Sequence, residues 1–327
     1  MKSRIAILSL ALAFAVATSA TLPAVAADYT ASTEFTEITD YGSEAVNVSG
    51  GSDSDPIVFT ASANENGFKT TGALSTCYSK LRIESGTYSA GAHTIAYRGD
   101  NYTGGGVLTM AGGHLCVGKV TLSVYGRSGT LNLNAGIFET KEFSATTAAA
   151  NLNFNGGTLK AASSVNSTFI LASPMSITIG SDGGTLDTNG KVITINAASK
   201  GEGILSVTGE GVAIFAGKAP SLNIVANTAV MFATADALPD SALAVGAGGV
   251  VLGNMFNVDL SNKITWQNTY PLNISNTVAT TWANTVPATQ GDFVKWGAGT
   301  LTLPSVPLNS GSFTIQQGAV CLPQGSV

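Results

Sequence analysis

The chain has 327 residues, 44% of them hydrophobic and only 11% charged, with 38 glycines and a formal charge of −5. That composition excludes a coiled coil or a highly charged disordered chain and suits a turn-rich β protein with a sizeable core. The acidic balance offers nothing to a nucleic acid backbone.

In chain order, the first segment is "MKSRIAILSLALAFAVATSATLPAVAA" (1–27). Lys2 and Arg4 precede an apolar run from Ile5 to Val16, too short to span a bilayer, and Ala24-Val25-Ala26 supplies a small-x-small cleavage site. The pattern predicts a secretory signal peptide. Removing Lys2 and Arg4 from the 15 basic residues leaves 13 against 20 acidic ones, a mature charge of −7. Residues 28–56 are polar and acid-rich, and are expected to form an irregular lead-in or N-terminal cap.

From 57 to 327 the chain alternates. "LRIESGTY", "VLTMAGGHLCVG", "GTLNLNAGIF", "NLNFNGGTL", "SITIGSDGGTL", "KVITINA" and "ILSVTGEGVAIFAG" are period-2 runs broken by Gly or Asn-Gly, the pattern of strands with one buried face. Landmark glycines recur at 113, 136, 157, 184, 211, 249 and 318, with first intervals of 23, 21, 27 and 27 residues. A repeat of roughly 20–30 residues made only of short strands predicts an all-β, right-handed parallel β-helix of roughly ten coils, about 50 Å long. "TNGK" at 188–191 is a type I′ turn signal and keeps a β-sandwich of hairpins as the alternative.

The segment 294–325, "VKWGAGTLTLPSVPLNSGSFTIQQGAVCLPQG", resembles the autotransporter-associated β-strand repeat, with Lys295, Gly297, Gly299, Thr300, Leu301, Thr302 and Leu303 at the family's positions. Its loop lacks the usual Asn and Tyr, and Ala319-Val320 replaces the closing Thr-Leu. Residues 99–118, 129–161 and 183–195 resemble parts of the same unit. The resemblance implies an exported, β-helical passenger of a Gram-negative-type bacterium, acting as an adhesin or structural stalk. Its partners would be host or cell-surface glycans or proteins, and its location extracellular or on the outer-membrane surface. A full autotransporter carries a C-terminal barrel, whereas nine residues follow Gly318. Truncation or secretion without a barrel is therefore expected.

The chemical inventory is small. His93 and His114 are expected to be half-exposed strand residues. His114 and Cys116 lie two apart and share a strand face, with no visible third ligand or orienting group for a metal or nucleophile–base site. Asp182 and Glu210 each precede a landmark Gly at matching phase, as paired glycosidase carboxylates on stacked coils would, but turn chemistry accounts for both. Asp187 opens "DTNG" (187–190), which lacks the later ligands of a calcium loop. Asp53 and Asp55 are the closest-spaced acids. "YTGGG" and "VGAGGV" precede no helix that would make a phosphate cradle. Arg98-Gly99-Asp100 could dock to a receptor and reads first as a turn. Trp266, Trp282, Trp296 and Tyr270 cluster late, to cap the solenoid or stack on sugars. Export permits a disulfide between Cys77 and Cys116 that leaves Cys321 over, but the three match no disulfide framework or zinc spacing and read first as thiols. No catalytic, cofactor-binding or metal-binding residue is predicted, and a carbohydrate-active or carbohydrate-binding β-helix is the alternative function.

Overall fold

The computed structural model describes residues 27–323, apart from 77–78, 96–104, 124–125, 147–148, 166, 172–174, 226, 242, 246–249, 255–256, 258, 267–271, 286–290 and 307–310. Of the signal peptide expected over 1–27, residues 1–26 lie outside the described residues.

The chain is a parallel β-solenoid of about 11 turns. Up to Gly201 each coil contributes strand to three walls, and every ladder between described strands is parallel. The first wall runs from Ala27–Tyr29 through Val46–Val48 and Ala73–Thr76 to Phe313–Ile315. The second begins at Thr33–Phe35 and Ile57–Ala61, and the third at Ile38–Asp40 and Gly67–Lys69. Two long strands, Gly106–Thr121 and Gly129–Ser144, bend through the second, third and first walls in turn. A sandwich of hairpins needs antiparallel pairs, and none occurs among the described ladders.

Alternation decides which side chains enter the core. On the second wall Leu108, Leu131, Leu152 and Ile177 stand in register and are buried. On the third, Tyr88, Leu115, Phe138, Leu159 and Leu186 do the same. On the first, Ile195, Phe215 and Phe232 stack in turn. Burying each such side chain contributes roughly 1.5–3 kcal/mol.

Residues 28–56 differ from the expected irregular lead-in. Together with Ala27 they hold four short strands, each paired to the coil above. Tyr29 and Phe35 pack against Phe59, with ring centroids 5.0 and 5.5 Å apart. Strands of three residues show too little alternation to be seen, and outward Asp28, Glu34 and Asp40 made the stretch read as loop.

The landmark glycines are in phase over four coils only. Gly113, Gly136, Gly157 and Gly184 each stand one residue before His114, Ile137, Thr158 and Thr185, which are in register on the third wall. Gly184 itself then pairs with Leu205, so Gly211 belongs to the next corner, just before the first-wall strand Val212–Phe215. Gly249 lies outside the described residues. "TNGK" does form a turn with Asn189 at φ 50° and Gly190 at φ 71°, closed by a 2.9 Å bond from Lys191 N–H to Thr188 O. It joins two walls of one solenoid and makes no hairpin.

The doubled glycines of "NGGTL" and "DGGTL" split two tasks. Gly156 and Gly183 turn the corner at φ 111° and 67°. Gly157 and Gly184 let the chain pass close to the previous coil: a Cβ on Gly184 would lie 2.6 Å from Phe154 Cδ1.

Candidate functional site

The outward face of the third wall brings several reactive side chains together. Leu115, Phe138 and Leu159 point inward, so the residues on either side of each point out. His114 and Cys116 therefore share the outer face, as expected. Cys116 stands in register with Glu139, and Glu139 with Lys160. His114 Nε2 lies 3.3 Å from Glu139 Oε2, and Lys160 Nζ lies 3.5 Å from the same oxygen. Glu139 is the third group that sequence spacing missed. It sits 23 residues beyond Cys116, one coil further on, and only the register makes them neighbours.

The electrostatics of this group do not favour a nucleophile. Burial pushes the Cys116 thiol above its ordinary pKa, and the Glu139 carboxylate adds to the rise. A reactive cysteine needs the opposite surroundings. Among the described residues no group of three His, Cys, Asp or Glu side chains could hold a metal ion. Cys116 and Cys321 are free thiols, and Cys77 lies outside the described residues.

Two shallow hollows flank the same wall further along. One includes Asp182, Glu202 and the 54%-exposed Ile204. The other includes Lys160, Asp187, Asn189, Glu210 and Asn227. Asp182 and Glu210, expected at one phase, thus lie at opposite corners of the wall, because Gly211 left the register. They do not face one another across a bond. Asp187 is engaged by its own turn, with its Oδ1 accepting the Asn189 N–H at 2.8 Å. Asn189, Glu210 and Asn227 all adopt positive φ, at 50°, 60° and 61°, in successive coils of this corner. They are the only non-glycine residues to do so among the described residues.

The other singled-out residues scatter. His93 is buried at 1% exposure on the first wall, against the half-exposed position expected, because it takes the inward slot between Leu74 and Val120. Burial pushes its imidazole down to about 3. Asp53 pairs with Lys80 at 3.1 Å, and the Asp55 carbonyl accepts the Ser52 N–H. Trp282 is buried, whereas Trp296 is 40% exposed on the first wall and donates to Asn273 Oδ1 at 3.0 Å. These two make no common platform. The Trp266 side chain, Tyr270, Arg98-Gly99-Asp100 and most of the two glycine-rich stretches lie outside the described residues.

Lys295 has a structural task. It is fully buried, and its Nζ donates to the carbonyls of Trp296, Gly297 at 2.7 Å and Gln317 at 3.3 Å. The ammonium group ties the Trp296-Gly297 corner to the next coil, while burial lowers its pKa. Leu301 and Leu303 face inward and are buried. "KWGAGTLTL" is thus a coil-closing device.

Comparison with known proteins identifies no relative: no family model, no curated protein and no solved structure matches the chain.

Proposed function

We propose that the protein is a non-enzymatic, exported β-solenoid of the autotransporter-passenger kind, serving as a surface stalk or adhesin-like display rod. The observation that carries this is the ordered polar lattice on its outer walls. On the second wall Asn153 donates to Asn132 at 2.9 Å, Asn132 to Thr109 at 3.3 Å, and Asn151 to Thr130 at 3.4 Å. Such ladders fix side chains that would otherwise be disordered, so repeated weak contacts can add along the rod. The signal segment supports export to the extracellular space or outer-membrane surface, with cell-surface glycans or proteins as partners.

A carbohydrate-active or carbohydrate-binding solenoid is the second reading. It is favoured by the two hollows, with Asp182 and Glu202 in one and Asp187 and Glu210 in the other. Purified mature protein tested on a glycan panel, for both retention and cleavage, separates the two. Retention on cells or matrix without cleavage is expected. Cleavage lost on Glu202→Gln or Glu210→Gln overturns the first reading.

A further inference from the structure

His93 is a titratable group buried in an apolar column, without the ring of carbonyls that receives the Lys295 ammonium. Its column on the first wall reads Val46, Leu74, His93, Val120 and Phe143, each in register with the next. All four neighbours in that column are buried and apolar. Among the described residues the imidazole has one side-chain partner, with Nε2 and Thr76 Oγ1 3.3 Å apart, and Nδ1 has none.

No described charge can rescue an imidazolium there. Lys119, beside Val120, points outward and pairs with Glu142 at 2.7 Å. The strand Ala73–Thr76 carries no charged residue, and neither does Thr87–Ile95 apart from His93 itself. The inward residues of the other two walls at this level are Leu81, Ile83, Leu108, Met110, Leu115, Val117 and Tyr88. Tyr88 is the single titratable one, and burial raises its pKa further, so it stays neutral in acid.

We propose that the joint between Ala73–Thr76 and Thr87–Ile95 is an acid-sensitive hinge, at which protonation of His93 parts the first-wall strands while the coils beyond it stay stacked. The direction follows from linkage. The folded-state pKa lies below the ordinary value, so the joint is fully stable above about pH 6.5 and weakens as pH falls toward about 3, by about tenfold in the opening equilibrium per pH unit. Because coils contact only their neighbours, the opening is local.

Hydrogen exchange on the mature chain, corrected for the intrinsic pH dependence of exchange, tests this. Between about pH 6.5 and about pH 4.5, opening at 73–95 is expected to rise about 50-fold, with 150–187 unchanged. His93→Gln keeps a partner for Thr76 and is expected to remove the rise. An equal rise in the variant, or none in the parent, overturns the proposal. Should the variant fail to fold, the imidazole of the parent chain is titrated by NMR. A midpoint below about 4.5 supports the hinge, and one near 6.5 overturns it.

Discussion

Over the coils that end at Gly201, the second wall is built of strands, from Thr33–Phe35 to Ser199–Gly201. Over the next coils it is not. The chain passes through Lys218-Ala219-Pro220 and then a short 3-10 turn, Ala235–Ala237, followed by Pro239. Proline cannot donate to a ladder, and two in consecutive coils remove the strand geometry. Coil-to-coil bonding survives singly: Ser199 N–H donates to Lys218 O at 2.7 Å, and Ala219 N–H to Ala237 O at 2.9 Å. Lys218 pairs with Asp240 at 2.7 Å across the same gap and holds that carboxyl below its usual pKa. The wall then returns to strand geometry as Thr280–Thr281, Thr300–Thr302 and Ala319–Cys321. Two intact walls therefore suffice to hold the register of a third. Coil length varies along the rod, from 27 residues between His93 and Val120 to 17 between Phe215 and Phe232, and the 19-residue step from Leu74 to His93 is short although its second wall is intact.

The contrast can be broken by deletion. Phe232→Ala in the irregular stretch and Phe138→Ala in the three-walled stretch both empty core sites and are each expected to cost about 3–5 kcal/mol. Denaturant unfolding with probes at both ends would show Phe232→Ala melting residues 204–266 first, with the coils before Gly201 still folded. A single transition for both variants would mean that the weakened wall costs no cooperativity. Lys295→Ala leaves three carbonyls without their charged donor and is expected to cost about 3 kcal/mol, read as a fall in denaturant midpoint. Gly184→Ala drives a methyl into Phe154 and should cost about 1–3 kcal/mol by the same measurement. The smallest change has the opposite sign. Glu210→Gly relieves a left-handed backbone and is expected to stabilise by about 1 kcal/mol, raising the thermal midpoint.

Much of this fold could be read from residues. The alternation in "NLNFNGGTLK" and "SITIGSDGGTL" shows which side chains go inside, and the interval from Gly157 to Gly184 gives one coil correctly. The interval to Gly211 does not, since a corner glycine looks the same at any corner and only hydrogen-bond register tells them apart. The same limit hid Glu139 beside His114 and Cys116. Neighbours across a ladder are a coil length apart, and that length varies from coil to coil. His93 was misplaced for a different reason: its local pattern permitted either face, and the apolar column of Leu74 and Val120 is a property of stacking.

The unequal register steps also set how the rod would yield to a pull. Its strands lie across the long axis, so tension along that axis loads the ladder bonds one coil at a time and peels the rod open. Each coil freed would release its own length of chain. At about 3.4 Å per residue, the 17-residue step at Phe215 gives about 60 Å and the 27-residue step at His93 about 90 Å. The force trace of a single molecule would then be a ruler of the coils, with a 17-residue interval at the step from Phe215 to Phe232.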